Sequence, residues 1–422
     1  MLERVVRFFT SPRYELKDVF GVQREAPKAT YVDRGGLDAQ FERALQLDRH
    51  IVIYGASKQG KSSLRRKLLK DKNTIEIQCI PTMNAFDIVK EIAHRAGYRT
   101  HTSSTVSVDI GSTVSSGKPS IAAARQMSDT FGPPERPSTI DWDKVSSLLH
   151  SKGTRVVIED FHYLDEEQRK EFAFLLKALW EAGIFVIIVG VWAEQNLLIY
   201  YNGDLAQRIE EIDLVWSDRD LRLVIERGEK ALNICLDDRI KDALIEDSFG
   251  NVGLLQTLAE RLCLNAGIVR SQRRLQRISD FKFLEKAREQ TASELRQRYN
   301  SFSEAFSKGL RHGRQSLYKY KTLLRVLVEA TDSELITGIG QDELLTRIHR
   351  YDDRIRSSDL SSALNHIGKL QASTGIRPLV FSYNQNTRKI SLVDRQLLFF
   401  RKYGSPKWPW ESWEDSEDVS EA

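Results

Sequence analysis

At 422 residues, with 41% hydrophobic and 29% charged side chains, the chain has the make-up of a soluble globular protein and the length for two or three domains. Its apolar runs stop at strand length and its three cysteines, Cys79, Cys235 and Cys263, are widely spaced. A membrane partner, a disulfide framework and a zinc site are therefore not expected, and a reducing cytoplasm is the expected setting. The formal net charge of +4 is small but unevenly placed: the middle of the chain is basic and its last twelve residues are acidic.

Residues 1–30 read as an irregular lead-in, with Pro12 and Pro27 as breakers and no cleavable signal pattern. Tyr31-Val32-Asp33-Arg34 precedes a helical stretch at 37–47, in which Leu37, Phe41, Ala44 and Leu45 share one face. His50-Ile51-Val52-Ile53-Tyr54 then reads as a buried parallel strand. It runs into Gly55-Ala56-Ser57-Lys58-Gln59-Gly60-Lys61-Ser62, which fits the phosphate-binding loop pattern G-x-x-x-x-G-K-[S/T] without a mismatch. Ser63 and the residues after it continue as a helix, with Leu64, Leu68 and Leu69 at helical spacing.

This order of strand, loop and helix has a chemical reading. Gly55 and Gly60 let the backbone curl so that its N–H groups face phosphate oxygens. The helix opening at Lys61 adds the positive end of its dipole. Lys61 would reach the β- and γ-phosphates of ATP, and the Ser62 hydroxyl would hold Mg²⁺.

Residues 74–80 alternate as a second strand, and 85–96 read as a helix. From 101 to 139 the composition shifts to Ser, Thr, Gly and Pro. Alternation of Val106, Val108 and Ile110 there suggests an exposed hairpin or a loose insertion. A helix at 141–150 leads into Arg155-Val156-Val157-Ile158, a short buried strand that ends in Glu159 and Asp160. Two carboxylates at a strand C-terminus lie where the crevice of an open sheet forms. One would hold Mg²⁺ through water and the other would orient or deprotonate an attacking water. Their order leaves the two roles open, and strand alternation points them to opposite sides unless the strand ends between them. A long amphipathic helix at 166–182 and a strand at 184–191 complete an alternating pattern, which implies an α/β fold: a parallel sheet with helices on both faces.

After Trp216 the pattern is helical, at 218–232, 238–248, 252–266 and 280–299, as expected of a lid domain over 217–310. Helices at 317–330, 341–350 and 359–373, followed by strands at 378–383 and 389–393, make a winged helix-turn-helix over 311–404. Residues 405–422 form an acidic C-terminal tail that contains Trp408, Trp410 and Trp413. The stretch 270–325 carries Arg270, Arg273, Arg274, Arg277, Lys282, Lys286 and further basic residues up to Arg325. Its only acids are Asp280, Glu285, Glu289, Glu294 and Glu304, so DNA or RNA is a candidate partner. Ser361, Ser362, Asn365, His366 and Lys369, with Arg388 and Lys389, are the polar candidates of the winged helix.

The Tyr31 to Arg34 segment, the phosphate loop, V-V-I-E-D-F-H, Gly190-Val191-Trp192 and Gly203-Asp204-Leu205-Ala206-Gln207-Arg208-Ile209 together resemble a STAND-type or origin-recognition-type AAA+ ATPase over about residues 30–265. The resemblance implies that Val32 and Arg34 meet adenine and ribose. It implies that Arg208 senses a γ-phosphate, its own or a neighbouring subunit's. Gly250-Asn251-Val252-Gly253 resembles the Gly-x-Pro element of STAND ATPases, with Val252 in place of proline. No sensor arginine follows it, and the strand ending near Val191 lacks an Asn or Thr sensor, although Glu194 and Asn196 are close. The implied function is a slow, Mg²⁺-dependent ATPase switch that self-associates with nucleotide and controls a partner effector in signalling or anti-phage defence. The alternative is a DNA-loading ATPase of replication or transposition type.

Overall fold

The computed structural model describes residues 14–23, 29–115, 118–132, 140–309, 314–373 and 378–411, with side chains described for all but 100–115, 118–132, 314–318 and 373. The expected lead-in before residue 14 and the acidic tail after 411, Trp413 included, lie outside these residues, as does Arg311.

Strands β1 (His50–Tyr54) and β2 (Asn73–Gln78) are followed by a long antiparallel pair, β3 (Thr100–Ser115) and β4 (Lys118–Gly132), where the Ser/Thr/Gly-rich composition falls. Next come β5 (Thr154–Glu159), β6 (Val186–Val189) and β7 (Ile209–Asp213). Five of these strands form one parallel sheet in the order β2-β5-β6-β1-β7. The phosphate-loop strand β1 is thus interior, between β6 and β7.

Alternation along the strands sorts the core. Val52, Tyr54, Ile77, Val156, Ile158, Val186 and Ile188 pack on one face with the helices Ala85–Ala96, Trp142–Ser151 and Glu166–Glu181. Ile51, Ile53, Val157, Ile187, Val189 and Ile212 pack on the other with Leu37–Gln46 and Lys61–Leu68. Burial on both faces is what the unbroken apolar runs of the strands require. The chain is an α/β protein of phosphate-loop type, with helices on both sheet faces.

The helices Asp218–Leu232, Asp238–Ser248, Val252–Asn265 and the 27-residue Lys282–Lys308 follow, with a short parallel pair, β8 (Ile234–Leu236) and β9 (Gln276–Ile278). Beyond them, helices Arg314–Glu329, Gln341–Ile348 and Ser357–Asn365 stand with a three-stranded antiparallel sheet of β10 (Ile339–Gly340), β11 (Phe381–Asn384) and β12 (Lys389–Leu392), ordered β10-β12-β11. The helix expected over 359–373 is two, Ser357–Asn365 and Ile367–Ser373, divided at His366, whose Nδ1–H donates to the Ser362 carbonyl at 2.7 Å. One hydrophobic core runs through both groups, from Leu221 and Leu258 to Phe302, Phe381 and Phe400, and takes in Trp216 and Val32. Trp410 closes this core, stacked on Trp408.

His50, fully buried at the start of β1, ties three elements together. Its Nε2–H donates to the Leu176 carbonyl at 2.9 Å and its Nδ1 accepts the Val186 N–H at 3.1 Å. Both ring nitrogens are used by the neutral form. Burial first, and Arg208 second, lower its pKa to about 4. The unfolded chain takes up this proton near 6.5 and the folded one does not. Stability should thus fall as pH drops through 6.5 toward 4, with the folding equilibrium losing about tenfold per pH unit from this group. Thermal unfolding across that range should show the loss, and His50→Gln should flatten it while lowering stability at pH 7.

Candidate functional site

The phosphate loop is shaped by its dihedrals. Gly55 (φ 126°), Lys58 (φ 59°) and Gly60 (φ 86°) have positive φ, and Gly60 caps the helix Lys61–Leu68 in a left-handed conformation. Such alternation turns backbone N–H groups toward one concavity. Lys61 is buried beneath the loop, and its ammonium donates to the Gly55 carbonyl at 3.0 Å and the Ala56 carbonyl at 2.6 Å. Burial lowers its pKa to about 7, against the opposing pull of Asp160, Glu159 and Asp213. A phosphate in the loop would supply the missing counter-charge.

Strand β5 ends at Glu159, and Asp160 takes a left-handed conformation (φ 56°, ψ 34°) at the head of a 3-10 turn, Phe161–Tyr163. The strand therefore does end between the two acids, and they part company. Glu159 is buried and ion-paired with Arg65 Nε at 2.6 Å. Arg65, itself buried in the loop helix, also grips both oxygens of Glu76, at 2.7 and 3.1 Å. Asp160 accepts from Gln78 Nε2 and faces a cavity of about 380 Å³.

That cavity brings most of the expected site residues together. Val32, Arg34, Ser57, Lys58, Gln59, Gly60, Lys61, Ser62, Ser63 and Asp160 all line it. Gly55 and Ala56 lie beneath it as the acceptors of Lys61, Glu159 lies behind it on Arg65, and Gly250 lies behind the loop. Ser62, on the first helical turn, and Asp160 offer oxygen donors that suit Mg²⁺ beside a bound triphosphate. Arg34 stacks on Trp216, 4.0 Å from the ring centre, and both donate to the Gln59 carbonyl, at 3.2 and 3.0 Å.

Arg208 lies away from the loop of its own chain. It precedes β7, whose first residue pairs with His50, at the end of the sheet opposite the loop. About 16 Å of strand separates that end from Gly55. Arg208 lies 4.5 Å from the Trp180 ring centre, bonds to the Asp204 carbonyl and pairs with Glu181 at 3.4 Å. It does not reach its own chain's phosphate loop. Glu194 and Asn196 do not line the cavity either. Asn196 gives its N–H to Glu211, and Glu194 is half-buried, with its carboxyl raised by desolvation.

Several lining residues carried no sequence assignment. Trp216, Tyr163, Gln256, Thr30, Arg66 and Pro378 line the cavity. So does His162, buried, with a pKa lowered to about 3 by burial first and by the charges of Lys61 and Arg169 second. Its Nδ1 accepts the Val191 N–H at 3.3 Å, which leaves a neutral Nε2–H without a protein partner. Only its place two residues after Asp160 could have flagged it.

Two distant segments grip the loop backbone. Gly253 N–H donates to the Lys58 carbonyl at 3.1 Å, and Asn251 Nδ2 to the Ser57 carbonyl at 3.0 Å. Gln59 Nε2 donates to the Gly250 carbonyl at 2.9 Å. The Ser57 N–H donates at 2.8 Å to the carbonyl of Val393, just after β12. Asp394, fully buried, binds Arg298 and the Tyr299 hydroxyl, the latter at 2.8 Å; Arg395 donates to the Phe249 carbonyl at 3.0 Å and the Gly250 carbonyl at 3.3 Å.

No known family profile matches this chain, and no curated protein does. Among solved structures it is similar to a Walker-type ATPase of Pyrococcus abyssi, with 14% identity, 91% of this chain and 99% of that one covered, and a TM-score of 0.53. The Aeropyrum pernix ORC1 protein, solved in complex with DNA, is 13% identical over 92% and 95% of the two chains, with a TM-score of 0.42. The RuvB Holliday junction branch migration motor of Thermotoga maritima is 12% identical over 89% and 96%, with a TM-score of 0.39. The likeness is to the fold of P-loop ATPases. At this identity it is the fold that is shared, and the residues above speak for themselves.

Gly253 lets helix Val252–Asn265 sit against the P-loop, because a Cβ there would lie 2.7 Å from that of Lys58. Gly253→Ala should cost about 1–3 kcal/mol of stability, the usual range for overpacking. Gly203→Ala, with nothing within 4 Å, should be nearly neutral. Urea unfolding of both variants checks the contrast.

Proposed function

We propose that this chain is an ATP- and Mg²⁺-binding switch ATPase of AAA+ or STAND type. Its P-loop is read by the lid and by a winged-helix module, and it controls a partner effector protein in signalling or anti-phage defence. The observation that carries this reading is the bond from Ser57 N–H in the P-loop to the Val393 carbonyl of the C-terminal module. A phosphate drawing the loop's N–H groups inward works against that bond. A neutral hydrogen bond contributes about 0.5–1.5 kcal/mol and one to a charged group about 1.5–3, so phosphate wins the competition by a modest margin. A modest margin suits a switch, which must also reset.

In this reading Val32 and the Arg34–Trp216 stack hold adenine and ribose. Lys61 and the loop N–H groups hold the phosphates. Ser62 and Asp160 hold Mg²⁺, which shields phosphate charge. Glu159 is already engaged by Arg65, so Asp160 is the carboxylate nearer the attacking water and Glu159 positions the loop helix through Arg65. The His162 Nε2–H offers a neutral donor to the terminal phosphate, in place of the missing Asn or Thr. A short acid and a committed glutamate support slow turnover. Arg208 remains a candidate in trans only, from the far end of one subunit's sheet into a neighbour's site, with ATP driving self-association.

Lys61→Ala should lose ATP binding in calorimetry; equal affinity in wild type and variant would sink the ATPase reading. Asp160→Asn should keep ATP binding and lose phosphate release. Trp216→Ala should weaken ATP but leave inorganic triphosphate binding unchanged. Arg298→Met, which frees Asp394, should loosen the module and raise both ATP affinity and turnover by a few fold; unchanged values would count against the switch. ATP-dependent assembly, followed by light scattering, should disappear in Arg208→Ala while monomer binding persists.

A further inference from the structure

The connection from helix Val252–Asn265 to β9 reads Gly267-Ile268-Val269-Arg270-Ser271-Gln272-Arg273-Arg274-Leu275-Gln276-Arg277-Ile278, with four arginines and no acid. Its backbone is held from several sides. Ile268 N–H bonds to the Cys263 carbonyl at 2.8 Å, and the Val269 carbonyl accepts Leu16 N–H at 2.9 Å. Ser271 exchanges bonds with Tyr14, Gln272 N–H donates to the Leu232 carbonyl at 2.8 Å, and β9 pairs with β8. This is an anchored ridge.

Its charges are the opposite case. Arg270, Arg273, Arg274 and Arg277 are exposed, and among the described residues none has an ion-pair or hydrogen-bond partner for its guanidinium. Elsewhere in the same lid Arg222, Arg261, Arg288 and Arg298 each grip a carboxylate. Lys17 and Lys230, exposed on the adjoining helix ends, flank the ridge; Glu15 and Asp18 are the acids on the Lys17 side. Four unpartnered forks on a fixed backbone concentrate positive charge where nothing in the chain uses it.

We infer that this ridge is a docking surface for the phosphodiester backbone of a nucleic acid. Guanidinium forks match phosphate oxygens in pairs, and an anchored ridge loses little backbone freedom on binding. The ridge carries no aromatic side chain to stack on a base, so contact is with phosphates and independent of sequence. Val269 and Leu275 are exposed beside the arginines, but two aliphatic side chains are a small apolar footing for a membrane, which ordinarily recruits a whole amphipathic face. The inference does not rest on ATP hydrolysis.

The test is a titration of full-length protein against labelled mixed-sequence duplex DNA and single-stranded RNA, with phosphatidylserine vesicles in a third arm. Four phosphate contacts on duplex predict a salt slope of about −3.6, so affinity should fall on the order of a hundredfold between 50 and 200 mM salt. Arg273→Glu/Arg274→Glu should abolish binding, and Arg273→Lys/Arg274→Lys should retain most of it. Arg239→Glu/Arg296→Glu, an equal change of charge elsewhere on the lid surface, should leave it nearly unchanged. The DNA and RNA arms tell which acid is preferred; binding to either supports the inference. Binding to vesicles alone, to nothing at low salt, or equal loss in both charge-reversal variants overturns it. Unchanged thermal unfolding of the variants confirms that the fold is intact.

Discussion

The P-loop is held by its own backbone. Its carbonyls and N–H groups bond to Arg34 and Trp216 on one flank, to Asn251 and Gly253 on a second, and to Val393 on a third. A loop built of Gly, Ala, Ser, Lys and Gln has little side-chain volume to pack, and buried peptide groups without partners are costly. The helices after Trp216 and the segment after β12 supply those partners. That requirement is why segments about 200 and 340 residues away in sequence converge on Ser57, Lys58 and Gln59.

The electrostatics around the loop follow from the same enclosure. Lys61 sits in a region dry enough to lower its pKa to about 7, and His162 beside it stays neutral for the same reason. Arg65 is buried but answered by two carboxylates, Glu76 and Glu159. An isolated buried charge costs several kcal/mol, whereas a well-bonded one is tolerated. The site is therefore poised for an anion at the loop, while its supporting charges are already neutralised. Asp394 shows the same logic farther out, fully buried yet held by Arg298 and Tyr299.

Much of the core was legible in local pattern. The unbroken apolar run at 50–54, the octet from Gly55 to Ser62 and the acid pair at 159–160 each carry their own periodicity or turn chemistry, so strand, loop and strand end fall close to where the sequence put them. The acid pair shows where local reading stops. Alternation along a strand could only pose the question of where β5 ends; the left-handed conformation of Asp160 answers it. β7 was missed because Ile209-Glu210-Glu211-Ile212-Asp213 is short and half polar, and the distance of Arg208 from its own chain's loop was hidden with it. Once β7 pairs in parallel with β1, Arg208 must lie at the far end of the sheet.

The sequence by itself determined the phosphate chemistry: a glycine-bounded loop, a lysine and a hydroxyl in fixed spacing, with acids at the end of a neighbouring strand. These depend on dihedral preferences and on contacts a few residues apart, which any short segment states openly. Only the tertiary structure decided what surrounds that chemistry. It set Trp216 against Arg34, turned Glu159 toward Arg65 and Asp160 toward the cavity, and closed the loop with Val393. Those outcomes come from packing between segments far apart in the chain, where burial selects a partner by shape and unsatisfied hydrogen bonds, and neither is written in the local order of residues.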